Sequence, residues 1–231
     1  LIKLLGIKQE AVGVEDGGLI DWDGLPAEEV LRRAGERFGE KAVFACSFGA
    51  EDMVVLDILH RVAPETSILL LDTGLLFPET YRLLEEAKKR YPCLEFKKTS
   101  PLPPGEAQGL WEFDPDLCCR IRKVEPLRQA LREARAWITG IRREQSPARK
   151  NARKLEWDHR FGLFKVNPLA DWSWAEVWEY IGRHGTPYNP LHDRGYPSIG
   201  CVPCTRPVRE GEDLRAGRWA GRPKTECGLH G

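Results

Sequence analysis

Short apolar runs alternate with segments of helical spacing along most of this chain. Residues 41–47 (KAVFACS), 67–72 (SILLLD), 94–99 (LEFKKT), 137–140 (WITG) and 163–169 (LFKVNPL) read as strands, the first two buried. Residues 26–38, 53–62, 78–90, about 120–135 and 174–183 read as helices, with Pro126 kinking or restarting the fourth. Ser173 followed by Glu176 forms a capping box, and Gly185 ends that last helix. Residues 100–117 read as a proline-rich loop and 141–160 as a long basic loop. After Thr186 proline and glycine recur with little periodicity. Strands alternating with helices predict an α/β fold with an open, mostly parallel sheet, whose ligands sit at the carboxyl ends of the strands. Residues 1–40 read as a helical lead-in. Residues 41–231 read as one α/β domain with an irregular C-terminal segment, mobile from about residue 210. The turns SFGAED (47–52), DTGLLFPET (72–80) and TGIRREQS (139–146) fall at strand ends.

The 231 residues are 42% hydrophobic and 30% charged, enough for a sizeable core. Lys plus Arg equals Asp plus Glu at 35 each, which argues against a nucleic-acid binder. No apolar run is long enough to span a bilayer and no export signal is visible, so the expected setting is the cytoplasm, with no membrane partner. The charge is uneven, however. Residues 120–160 carry 13 Lys or Arg against five acids, a local excess suited to a small anionic substrate. The backbone N–H groups of SFGAED, opening a helix, also suit an anion. Glu51 and Asp52 there favour the first helical turn and work against a triphosphate.

Seven cysteines cannot all pair, and in a reducing compartment clustered thiols point to metal or redox chemistry. Cys46 and Cys93 read as buried inert thiols. Cys118 and Cys119 are adjacent, and Cys201 and Cys204 form a CxxC motif. Four thiolates suit zinc or an iron–sulfur cluster. Neighbouring cysteines reach separate corners of a cubane more readily than one tetrahedral ion, which favours a 4Fe–4S cluster. A zinc site and a metal-free pair of buried motifs remain the rival readings. Cys227, beside Lys224 and His230 and downstream of Arg215 and Arg218, is either a nucleophile or an incidental terminal thiol.

Eight motifs occur in order over residues 41–230: SFGAED, LDTGLLFPETY, CCRIRKVEPL, WITGIRREQSPAR, KVNPLADWSWAEVWEYI, GYPSIGCVPCTRPV, GEDLRAGRW and KTECGLH. Together they resemble the assimilatory adenylyl-sulfate (APS) reductases, the cluster-bearing branch of the phosphoadenylyl-sulfate (PAPS) reductase family. The resemblance implies an adenine-nucleotide α-hydrolase-like fold and thioredoxin-dependent reduction of APS to sulfite and AMP, in sulfate assimilation and cysteine biosynthesis. It assigns Cys118, Cys119, Cys201 and Cys204 to a 4Fe–4S cluster and Cys227 as the nucleophile. It places Lys123, Arg215, Arg218 and His230 around the sulfate. It puts Ser47, Gly49, Leu71, Gly140 and Arg149 against the nucleotide, and it is compatible with a homo-oligomer. PAPS is the second candidate substrate. Acids in the first two turns disfavour its extra phosphate, unless Arg142, Arg143 or Lys150 of the basic loop reach it. An ATP-using tRNA-thiolating or adenylating enzyme on the same fold would carry a glycine-rich SGGxDS-type turn, where this chain has SFGAED. A zinc-stabilised binding module is the non-enzymatic alternative.

Overall fold

The computed structural model describes residues 14, 15, 18, 19, 21–100, 102, 103 and 105–230. Much of the expected lead-in before Asp21 therefore lies outside the described residues. β1 (Val14–Glu15) and β2 (Gly18–Leu19) pair antiparallel. The main sheet has six strands: β3 (Ala42–Ala45), β4 (Ser67–Leu70), β5 (Phe96–Lys98), β6 (Ala136–Ile138), β7 (Leu155–Asp158) and β8 (Leu163–Val166). Their order is β5-β4-β3-β6-β8-β7, parallel throughout except for β7 against β8. The open, mostly parallel α/β sheet is as the sequence predicts. β7 is not: it lies inside the expected basic loop. Its register pairs Leu155 with Val166 and Trp157 with Phe164, so a short apolar alternation among charges suffices for an edge strand.

Alternate residues of each strand supply two cores. Phe44, Ile68, Leu70, Ile138, Phe164 and Val166 face the larger one, shared with α1 (Ala27–Phe38), α2 (Ala50–Val62), α3 (Pro78–Arg90) and α7 (Trp174–His184). Leu69, Trp137 and Leu163 face a smaller core covered by Leu127, Leu131 and, from the tail, Leu229. Ser173 and Glu176 make the expected capping box on α7, and Gly185 ends it in the left-handed conformation. α2 starts three residues earlier than expected, because Glu51 and Asp52 enter its first turn, where acids favour the helix dipole.

The expected loop at 100–117 contains two short helices, α4 (Leu110–Phe113) and α5 (Pro115–Cys119). From α5 the chain runs through a π turn (Arg120–Val124) into α6 (Glu125–Ala130). Pro126 has no N–H to offer the Arg122 carbonyl four residues back, and the ladder widens there, with the Glu125 N–H reaching the Arg120 carbonyl. Cys118, Cys119 and Lys123 are all set by this interrupted helix. Cys46 is buried, as expected, but Cys93 is exposed: in the turn after α3 the inward positions go to Tyr91 and Leu94.

α1 and α2 approach closely at Gly35. A Cβ there would lie 2.7 Å from the Ala63 Cβ and 2.6 Å from Glu65 Oε1. Gly35→Ala gains roughly 1 kcal/mol of helix propensity but forces the helices apart, costing roughly 1–3 kcal/mol. The expected outcome is a lower urea midpoint with unchanged activity per folded molecule.

Candidate active site

β3 and β6 are neighbours, and the chain leaves them in opposite directions across the sheet. Such a switch point leaves a crevice at the carboxyl ends of the strands. A cavity opens there. Ser47, Gly49, Leu71, Gly140 and Arg149 line it from the strand-end loops, and Lys123, Arg215, Arg218, Cys227 and His230 line it from the π turn and the tail. Every residue that the sequence assigned to substrate or nucleophile thus faces one space.

The strand-end wall is held by acids. Asp52 Oδ2 accepts from the Ser47 backbone N–H at 2.5 Å and from Ser47 Oγ at 2.7 Å. Burial pushes its carboxyl up to about 6 despite these bonds. They fix the SFGAED turn, in which buried Phe48 takes φ 60°. Gly140 is required beside it: a Cβ there would lie 2.1 Å from Asp52 Oδ1 and 3.1 Å from the Glu51 Cβ. Glu51 Oε1 accepts from Arg142 Nε (3.0 Å) and Nη2 (2.9 Å) and from Gln145 Nε2 (2.9 Å). Arg142 also donates to Glu144 at 2.7 Å, and Arg143 to Asp23 at 3.0 Å. Those two cations of the basic loop are neutralised in place. Lys150 is exposed and does not line the cavity.

The opposite wall is cationic. Arg149 and Arg215 both grip Glu226, the residue before Cys227. Arg218 donates to Ser198 Oγ at 3.2 Å and lies over the Trp219 ring, 4.6 Å from its centroid. Gly200 makes room for it, since a Cβ there would lie 2.3 Å from Arg218 Nη2. Burial opposes the charge on Lys123, but the Cys201 and Cys227 sulfurs offset this and raise its pKa. His230 is driven the other way. Burial, reinforced by Arg149, Lys165, Arg160 and Arg215, holds its pKa well below the usual range, so the ring is neutral. It stacks on Trp137 with centroids 5.2 Å apart. Lys224, which the sequence set beside Cys227, is paired instead with Asp116.

Cys118, Cys119, Cys201 and Cys204 line a second, smaller cavity with Trp111, Arg122, Lys123, Arg218 and Trp219. Among the described residues, no three His, Cys, Asp or Glu close on a single-ion position. Three buried donors of this cavity's lining residues, Arg122 Nε, Arg218 Nε and Trp219 Nε1, have no acceptor. Four thiols spread around a space whose lining residues carry unpartnered N–H groups fit a multinuclear iron–sulfur group better than one zinc ion. Lys123, Arg218 and Trp219 form the wall common to both cavities.

Sequence reasoning missed Trp137, Glu51 with Arg142, and Glu226. Trp137 looked like a strand residue, and its role appears only when the tail brings His230 onto it. Glu226 carried one signal, an acid directly before the candidate nucleophile. Its partners lie 77 and 11 residues away. In the tail, Leu229 packs against the smaller core, and Arg160 donates to the Gly228 carbonyl at 3.0 Å.

Residues 41–207 match the model of the phosphoadenosine phosphosulfate reductase domain family, and the chain belongs to that family. It is 50% identical over 208 residues to the adenosine 5'-phosphosulfate reductase of Halalkalibacterium halodurans, covering 87% of this chain and 90% of that protein. It is also 50% identical over 208 residues to adenosine 5'-phosphosulfate reductase 2 of Bacillus subtilis, covering 87% and 88%. Among solved structures it is similar to the phosphoadenylyl-sulfate reductase of Candida auris in a phosphate complex, with TM-score 0.68, 33% identity and coverage of 79% and 91%. The FMN adenylyltransferase of Candida glabrata shares the fold at TM-score 0.59 and 18% identity, covering 78% and 64%.

Proposed function

We propose that this chain reduces APS to sulfite and AMP, with thioredoxin as the electron donor, through an S-sulfonate on Cys227. The observation that carries the reading is Cys227 in one cavity with Lys123, Arg149, Arg215 and Arg218, at the switch point where a nucleotide would lie. Sulfate sulfur is shielded by oxygens that share negative charge, and clustered cations offset the repulsion of an incoming thiolate. The Cys227 thiolate forms a bond to that sulfur as the sulfur–oxygen bond to the phosphate breaks, and AMP departs. AMP leaves through a weakly basic phosphate oxygen, so no strong general acid is needed. A thioredoxin thiolate then attacks the Cys227 sulfur. Sulfite leaves with the electron pair of that sulfur–sulfur bond, and the second thioredoxin thiol resolves the mixed disulfide, giving oxidised thioredoxin and free Cys227. Cys227 also lines an open outer groove with Asp116, Arg120 and Lys224, a route for a protein thiol.

Cys118, Cys119, Cys201 and Cys204 would hold a 4Fe–4S cluster, and the unpartnered N–H groups of Arg122, Arg218 and Trp219 would suit its negative charge. When bound, it supplies a fixed charge behind the shared wall rather than the electrons of the reaction. Lys123, on that wall, holds its proton and faces the anion. The reading carries with it a reducing, cytoplasmic setting, in which a dithiol donor stays reduced. Among the described residues no helix is long and apolar enough to cross a membrane.

Cys227→Ser is expected to retain the fold and AMP binding and to lose sulfite production. Wild type incubated with APS alone should gain one SO₃ group on the Cys227 peptide by mass spectrometry. An active serine variant, or sulfonation elsewhere, refutes the assignment.

Serine at any one of Cys118, Cys119, Cys201 or Cys204 is expected to abolish the visible absorbance band and the iron and sulfide content of anaerobically purified protein. Cys46→Ser and Cys93→Ser should leave both unchanged.

With Arg142 held by Glu51 and Glu144, and Arg143 by Asp23, neither is free for the 3'-phosphate of PAPS. Steady-state kinetics with one thioredoxin should show kcat/KM favouring APS by roughly 100-fold, the scale of one or two charge-assisted hydrogen bonds. A ratio near one means that the basic loop reaches the ribose.

A further inference from the structure

We propose that Glu226 is a stand-in anion: in the nucleotide-free protein its carboxylate fills the seat on Arg149 and Arg215 that an oxyanion of the substrate takes over. The inference rests on the proposed reaction and adds a residue to it. Glu226 acts through the two arginines and through the neighbouring Cys227, so it is a positioning residue rather than a catalytic one.

The seat is fully built. Glu226 Oε1 accepts from Ser146 Oγ at 3.2 Å and Arg149 Nε at 3.1 Å, and Oε2 accepts from Arg149 Nη2 at 2.8 Å and Arg215 Nη2 at 3.1 Å. Arg149 engages it through two parallel bonds, the fork geometry by which guanidinium groups hold carboxylates and phosphates alike. The side chains are sequestered, with 8% exposure at Arg149 and 11% at Glu226. Two guanidinium groups desolvated side by side need an anion between them. Burial and the nearby Arg149 push Arg215 down to about 10 even with Glu226 present.

A phosphosulfate entering this cavity meets the same two arginines. Holding Glu226 beside it would place a third anionic group among the same donors, in a cavity where charges are poorly screened. Exchange of one anion for the other removes that conflict. It also has room to occur, because Glu226 borders the outer groove as well as the cavity. The exchange frees the segment carrying Cys227 from its ion pairs when substrate is present and recaptures it when AMP leaves. The other arrangement keeps Glu226 in place as a strut for Arg149 and Arg215 and leaves the substrate to Lys123 and Arg218. The two make opposite predictions.

The test is AMP binding by calorimetry to the full chain purified anaerobically, comparing wild type with Glu226→Gln and Glu226→Asp. As a stand-in, Glu226 competes with AMP, and a competent fraction of one in ten without nucleotide corresponds to about tenfold tighter binding once it is neutralised. Gln should therefore bind AMP about tenfold more tightly, and Asp, with a shorter reach, should fall between. Equal or weaker binding by Gln overturns the proposal. Thermal unfolding gives a second readout. Nucleotide-free Glu226→Gln should melt below wild type, and saturating AMP should close the gap. A gap that persists shows that Glu226 is still used in the bound state, and the proposal fails. If folded wild type binds no AMP at all, the proposed function falls first and this inference with it.

Discussion

Two arginines from distant parts of the chain meet in a desolvated cavity, and an anion must sit between them. Arg149 comes from the loop after β6, and Arg215 from the irregular segment beyond the CxxC motif. Their shared partner, Glu226, belongs to the tail. Breaking one member of such a buried set leaves an uncompensated charge, which costs far more than an exposed ion pair. This triad therefore fixes where the tail lies, and with it the position of Cys227. The glycine at 200 and the π turn at Arg120–Val124 serve the same end, since they place Arg218 and Lys123 on the same cationic wall.

The same rule sorts the rest of the basic segment. Arg142 is spent on Glu51 and Glu144, Arg143 and Arg153 on Asp23, and Lys154 on Asp171. Those four cations are held in place by acids, while Arg120, Arg132, Arg135 and Lys150 of the same segment are exposed. Lys123 and Arg218 are set apart by where they lie. Neither has a carboxylate ion-pair partner among the described residues, and both lie on the wall between the thiol-lined cavity and the Cys227 cavity. A positive charge kept without a carboxylate counter-ion at that wall is available both to sulfurs behind it and to an anion in front.

The parallel sheet was legible because its central strands β3, β4 and β6 are apolar on both faces, a pattern few alternatives share. The adjacent cysteines and the CxxC motif stand out by type and spacing, whereas the basic residues that line the Cys227 cavity were picked out by the resemblance of whole motifs. What escaped was produced by the fold. β7 hid inside a charged segment because an edge strand needs only one apolar face. α5 hid among prolines and glycines because Asp114 accepts from the Leu117 N–H and Pro115 opens the turn, so a cap substitutes for periodicity. Trp137, through His230, and Glu226, through Arg149, have roles that depend on a partner more than 70 residues away, which no local pattern encodes.

The tail is both part of the core and the carrier of Cys227, the nucleophile of the proposed reaction, and the two duties limit each other. Leu229 fills the smaller core and His230 stacks on Trp137, while Arg160 holds the Gly228 carbonyl. Peeling away this end would uncover a half-buried leucine, at less than the roughly 1.5–3 kcal/mol of a fully buried one, together with a stacked ring. The neutral state of His230 belongs to the same logic, because a charged imidazole among Arg149, Lys165 and Arg160 would repel the wall it must cover. Residues 223–228, by contrast, are held mainly by ion pairs and border the outer groove on one side and the cavity on the other. Polar contacts can be exchanged for others of similar strength, whereas the apolar anchor cannot. The chain thus places Cys227 on the segment whose attachments are replaceable and ties down Leu229 and His230 just beyond it, so that Cys227 can be reached from two sides without dismantling the core.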